Sequence, residues 1–152
     1  MSKPITLPQF EVTLENGSIV NQEYFCNQNI VLFFYPRDDT PGCTKEAQDF
    51  SEFKENFSDL NIKIYGVSKD DQNSHKKFIL KYKLLVDLLF DHDGLMCDAF
   101  RVWKKKQMYG KQYHGIERST FLIDKGGKIV KSWRNVKVEG HIEDVLSAAK
   151  LL

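Results

Sequence analysis

Hydrophobic residues along this chain fall into blocks whose period switches between about two and about 3.6 residues, and each block predicts one element. From Ile30 to Tyr35 the chain is apolar almost without interruption, as expected of a central strand buried on both faces. After Cys43, the residues Ala47, Phe50, Phe53 and Phe57 recur at steps of three to four and predict one helix with a single apolar face. Ile62 to Val67 reads as a strand, and Gln72 to Leu84 as a helix carrying Phe78, Ile79 and Tyr82. Val86 to Phe90 is a further strand, and Leu95 to Phe100 forms one or two helical turns. Phe10 to Leu14 and Val20 to Tyr24 pair as a hairpin around Glu15-Asn16-Gly17. Thr120 to Ile123 and Lys128 to Trp133 form a second hairpin around Asp124-Lys125-Gly126-Gly127. His141 to Leu151 closes the chain as a helix, with Ile142, Val145, Leu146 and Ala149 on one face. Glu143 and Asp144 sit early in it, where the helix dipole favours acids. Strands alternating with helices on this scale predict an α/β domain, a sheet covered by helices on both faces.

Composition narrows the class. With 152 residues, 41% hydrophobic and 28% charged, the chain suits one globular domain spanning 1–152. A net charge of +1 gives no global attraction to nucleic acid, and Lys104-Lys105-Lys106 is read as a solvated loop. Met1-Ser2-Lys3-Pro4-Ile5-Thr6 lacks the apolar core of about 7–15 residues that marks a signal peptide. No stretch reaches the roughly 20 apolar residues of a membrane helix. Three cysteines in such a chain point to a reducing, cytoplasmic setting rather than a disulfide framework.

The chemistry concentrates in Tyr35-Pro36-Arg37-Asp38-Asp39-Thr40-Pro41-Gly42-Cys43. Thr40 is a candidate N-cap, and Pro41 suits the first helical position. Cys43 then falls in the first turn, among unpaired N–H groups at the positive end of the helix dipole. That setting turns a thiol into a nucleophile, although a cysteine there also fits as a small core residue. Pro36, Thr40 and Cys43 make P-x-x-x-T-x-x-C. This pattern resembles the active-site signature of the peroxiredoxins, and the longer run to Ala47 resembles their Q-type, or bacterioferritin comigratory, subfamily. Gly66-Val67-Ser68-Lys69-Asp70 and Arg118-Ser119-Thr120-Phe121-Leu122-Ile123-Asp124 fall where that family has similar stretches. The resemblance covers about Leu7 to about Lys150.

It implies a thioredoxin-like fold, a central mixed sheet flanked by helices with an N-terminal β-hairpin. It also implies a thiol peroxidase that reduces hydrogen peroxide and alkyl hydroperoxides without cofactor or metal. Cys43 would attack the O–O bond and become a sulfenic acid. Arg118 would hold positive charge beside the thiolate and donate to a peroxide oxygen. Thr40 offers a hydroxyl to peroxide and an oxygen to the helix start, two roles that compete. Pro36 ends the strand and shields the sulfur from water. The N–H groups of Cys43 and Gly42 would complete an oxyanion-type site. Asp38 and Asp39 are expected to point into solvent, where screening weakens them, and Glu46 to engage a neighbouring polar group.

This chain departs from the family in its second cysteine. Many Q-type members carry a resolving thiol five residues after the first, but position 48 is Gln, and Ile79 and its neighbours offer no thiol for a later one. Cys97 is read as buried and structural, and Cys26 as exposed. The sulfenic acid is therefore expected to meet an external thiol, thioredoxin or another, in a one-cysteine cycle run by a monomer or at most a weak dimer. A dithiol oxidoreductase would need C-x-x-C, but position 46 is Glu; a cysteine phosphatase would need C-x5-R, but position 49 is Asp. His75, His92, His114 and His141 show no protease spacing, and no paired zinc ligands occur. The rival from another class is a non-enzymatic redox sensor or holdase on the same scaffold.

Overall fold

The computed structural model describes residues 7–152, so the reading of Met1 to Thr6 lies outside the described residues. Strand β3 (Asn29–Phe34) is an interior strand of a seven-stranded sheet. It runs parallel to β4 (Ile62–Ser68) on one side and antiparallel to β8 (Ser119–Ile123) on the other. β4 continues in parallel to β5 (Asp87–Phe90), and β8 pairs antiparallel with β9 (Ile129–Trp133). The N-terminal hairpin, β1 (Glu11–Thr13) and β2 (Ile19–Asn21), joins the edge at β5 through Thr13 and Phe90. The sheet is mixed, as expected. The hairpin strands are shorter than predicted, and Tyr24 falls in a 3-10 turn, Gln22–Phe25.

Alternation along β3 divides the core. Val31, Phe33 and Tyr35 face one side with Cys43, Ala47, Phe50 and Phe57 from helices α1 (Pro41–Glu52) and α2 (Lys54–Asp59). Phe78 of α3 (Gln72–Tyr82) and Val145 of α5 (His141–Ala149) complete that layer. Ile30, Leu32 and Phe34 face the other side, against Phe25, Phe100, Val102 and Phe121, with Met96 and Cys97 of α4 (Leu95–Ala99). Gly66 of β4 is needed at its position, because a Cβ there would lie 2.6 Å from the Phe33 ring and 2.7 Å from Leu88. Its absence lets Phe33 stack on Phe50 at 4.6 Å between centroids. That stack seats α1 on the sheet.

Two elements depart from expectation. The helix predicted after Cys43 breaks at Phe53 (φ −97°, ψ 10°), and α2 starts afresh at Lys54. Phe50 and Phe57 remain buried on either side of the break, so the apolar periodicity passes through it undisturbed. Lys104-Lys105-Lys106 is not a loop. It lies within β6 (Trp103–Met108), which pairs with β7 (Lys111–Ile116) as a separate two-stranded sheet.

Candidate active site

Helix α1 begins just past the end of β3 and carries Cys43 in its first turn. Pro41 occupies the first helical position, and the first intrahelical bond runs from the Thr44 N–H to the Thr40 carbonyl at 2.8 Å. The N–H groups of Gly42 and Cys43 lie ahead of that bond, at the positive end of the helix. Thr40 is the N-cap residue, but its hydroxyl does not cap the helix. It donates instead to the Arg37 carbonyl at 2.9 Å. The competition between its two roles is thus settled against capping. Pro36 is exposed, just beyond β3.

The Cys43 sulfur is buried, with the residue 1% accessible. Arg118, between β7 and β8, reaches it across the fold: Nη2 donates to Sγ at 3.4 Å, and Nη1 donates to Glu46 Oε1 at 2.9 Å. Burial works against the guanidinium charge, but Glu46 and Cys43 outweigh it and hold the proton more firmly than usual. Glu46 lies one turn after Cys43, is 1% accessible, and leaves Oε2 buried with no hydrogen-bond partner among the described residues. Burial pushes its carboxyl up to about 7, against the pull of Arg118. The planar guanidinium therefore spans nucleophile and carboxylate at once, a geometry that an ammonium cannot reproduce. Gly42 makes room for it, since a Cβ at that position would sit 3.0 Å from Nη2.

Three residues that pattern reading missed belong to this neighbourhood. Lys106 of β6 is half-buried, and its ammonium donates to the Ile116 carbonyl at 2.6 Å. Burial first, then the Arg118 charge, lowers its proton affinity, while the nearby Cys43 acts the other way. Asp38 does not point into solvent. Its carboxylate is buried and accepts from the Tyr35 hydroxyl at 2.6 Å. His75 Nδ1 lies 2.7 Å from the other oxygen of that carboxylate. The signal for His75 was present, because it precedes Phe78 and Ile79 by three and four residues, in phase with the buried stripe of α3. Asp39, in contrast, is exposed and accepts from Lys81 at 2.9 Å and from the Tyr82 hydroxyl.

The other thiols lie elsewhere. Cys97 is buried in the core on the opposite face of the sheet from Cys43, and burial raises its pKa far above the usual thiol range. Cys26 is half-buried rather than exposed, and its thiol donates to the Gln22 carbonyl at 3.8 Å. It precedes β3 whereas Cys43 follows it, so the strand's roughly 20 Å length separates them. A disulfide needs Cα atoms within about 7 Å. Among the described residues no cluster of His, Cys, Asp and Glu is arranged to hold a metal ion. His141 is structural: its Nε2 meets the Thr120 hydroxyl at 2.8 Å, and burial lowers its pKa to about 4.

The fold and this thiol–guanidinium centre define a class that comparison with known proteins narrows. The AhpC/TSA family model matches residues 6–132. Peroxiredoxin Bcp of Bacillus subtilis (strain 168) is 47% identical over 143 residues, 94% of this chain and 91% of its own. Peroxiredoxin Bcp of Xanthomonas campestris is 44% identical over 139 residues, 91% and 87% of the two chains. Among solved structures, Xanthomonas campestris peroxiredoxin Q superposes with a TM-score of 0.87 at 43% identity, covering 93% of this chain and 90% of that one. A trapped intermediate/ligand complex of the bacterioferritin comigratory protein from the same organism, studied for its alkyl peroxide reduction activity, superposes equally well at 42% identity and the same coverage. The chain belongs to the AhpC/TSA family, within its Q-type or bacterioferritin comigratory peroxiredoxins, and is a thiol peroxidase with a thioredoxin-like fold.

Proposed function

We propose that this chain reduces hydrogen peroxide and organic hydroperoxides at Cys43 in a one-cysteine cycle completed by an external thiol of thioredoxin type. The observation that carries this reading is the Arg118 guanidinium, which donates to the Cys43 sulfur while Glu46 anchors its other arm. The Cys43 thiolate attacks one peroxide oxygen; an S–O bond forms as the O–O bond breaks. Sulfur loses two electrons to the peroxide, and the departing oxygen leaves as alkoxide or hydroxide and takes up a proton to become alcohol or water. Arg118 and the N–H groups of Gly42 and Cys43 face the charge that builds on oxygen. The Thr40 hydroxyl orients the peroxide, and Pro36 keeps water from the sulfur.

Gln48, together with the placement of Cys26 and Cys97, supports resolution by an external thiol. We assign the whole chain, 1–152, to one domain acting as a monomer or at most a weak dimer. No helix among the described residues is long and apolar enough to cross a membrane. Three unpaired cysteines suit a reducing cytoplasm. A sensor or holdase would need no turnover. Peroxide consumption in excess of protein, sustained by a thioredoxin system, tests the reading, and consumption that stops at one equivalent would reject it.

A further inference from the structure

Residues 37–40 carry the chain from β3 into the turn that holds Cys43, and α3 grips this loop at two neighbouring aspartates. On the inner side, the Asp38 carboxylate accepts from the Tyr35 hydroxyl at 2.6 Å and the Ser74 hydroxyl at 2.7 Å, with His75 Nδ1 at 2.7 Å. The Asp38 N–H donates to Asp70 Oδ2 at 2.7 Å, an oxygen that also accepts from the Ser68 hydroxyl at 2.8 Å. On the outer side, Asp39 takes a left-handed backbone (φ +57°) and is bonded to Lys81 and Tyr82 at the far end of α3. Backbone and side chain of residue 38 are thus both fixed, three residues before α1 starts. Arg37 is held in turn by the Thr40 hydroxyl.

The charge state of the inner grip follows from its partners. His75 Nε2 faces the Leu89 carbonyl at 2.9 Å, which can only accept, so this nitrogen carries a hydrogen. Nδ1 faces the Asp38 carboxylate, and an imidazolium satisfies both contacts. Burial opposes that charge, but the bonded Asp38 outweighs it, with smaller help from Leu89 and Asp70, so the imidazole holds its proton above its ordinary 6.5. The other charged groups around it are Asp71 at the start of α3, Glu15 on the N-terminal hairpin, and Lys76 on α3 itself. Burial and Asp38 also keep the Tyr35 phenol protonated, and therefore a donor.

We propose that the buried Asp38–His75 ion pair is a positioning element of the peroxidase centre, holding the 37–40 loop, and through it Thr40 and Cys43, in the reactive geometry. Neither residue touches the sulfur; both act through the loop. This rests on the peroxidase reading given above. The sign of its pH dependence is set. A raised folded value means the imidazolium grip is fully present below 6.5 and is lost as pH rises through the raised value.

Hydrogen–deuterium exchange of residues 37–43 in the wild-type protein tests this without any peroxide. After correction for intrinsic exchange, opening should increase by up to about tenfold per pH unit between 6.5 and the raised value. In His75→Gln it should be faster and, above about pH 7 where Glu46 has ionised, independent of pH over the rest of that window. The second-order rate with hydrogen peroxide should fall about tenfold or more in His75→Gln and Asp38→Asn, because small displacements of a reacting group slow it strongly. Asp38→Glu should recover part of it. Wild-type protection of 37–43 that stays flat across the window would overturn the proposal, as would a folded His75→Gln reacting at the wild-type rate with an unchanged pH profile. If wild-type Cys43 itself failed to react with peroxide, the peroxidase reading would fall, while the exchange result would still decide whether the pair holds the loop.

Discussion

Arg118 Nη2 stands 3.4 Å from the sulfur of Cys43, although 75 positions separate the two residues in the chain. The contact exists because β3 and β8 are antiparallel neighbours, pairing Phe34 with Ser119. The residue just before β8 and the helix just after β3 therefore meet at the same end of the sheet. Removing the guanidinium in Arg118→Ala should slow peroxide reduction by about 10²-fold or more. Arg118→Lys keeps the charge but not the fork, and should recover only part of the rate. Stopped-flow oxidation measures both rates, and equal rates in the three proteins would make Arg118 structural only.

Gly42→Ala separates stability from activity. Alanine favours helix over glycine by roughly 0.5–1 kcal/mol, so the variant should fold at least as well. Its Cβ would lie 3.0 Å from Nη2 and 3.7 Å from Cζ of Arg118, which is already tied to Glu46. The guanidinium must shift, and the oxidation rate should drop severalfold with no fall in the unfolding midpoint. A variant with wild-type kinetics would show that Arg118 yields at no cost.

Much of this site was readable from the chain. The apolar run at 30–35, the helix start at Thr40-Pro41 and the motif leading to Cys43 are local features, and each lies where expected. Arg118 emerged only from the family resemblance, because nothing local distinguishes one arginine before a strand. The β6–β7 hairpin was missed for a physical reason: both its faces are largely exposed, so its lysines carry no period-two alternation. The burial of Asp38 was missed because its partners Ser74 and His75 come from α3, more than 35 residues away. Periodicity finds which face of an element is buried, but not which charge a distant helix will cover.

Glu46→Gln should change the pH response. With its carboxyl raised from 4.5 to about 7, wild-type Glu46 gives stability that is fully present below 4.5 and lost as pH rises through about 7. The loss is on the order of 3 kcal/mol at one pKa unit per about 1.4 kcal/mol. Glutamine cannot ionise, so the difference in unfolding free energy between pH 5 and pH 8, measured by urea titration, should shrink. An identical pH dependence in both proteins would show that Glu46 ionises normally.

The fate of the sulfenic acid follows from the thiol positions. Cys43 and Cys97 lie in cores on opposite faces of the sheet, and Cys26 lies at the other end of β3. Oxidised protein should form a dimedone adduct at Cys43 and, without reductant, pass to sulfinic acid as peroxide rises. Cys26→Ser and Cys97→Ser should keep the first oxidation step. A Cys43–Cys26 or Cys43–Cys97 disulfide that outruns dimedone would replace the one-cysteine cycle with an internal one.

Whether Cys43 attacks peroxide is read from intact-protein mass spectrometry with peptide mapping after one equivalent of hydrogen peroxide. One oxygen should be added per chain, located on Cys43 and trapped there by dimedone, with no peroxide consumed by Cys43→Ser. Oxygen found on Cys26 or Cys97 instead, or undiminished consumption by Cys43→Ser, would contradict attack by Cys43.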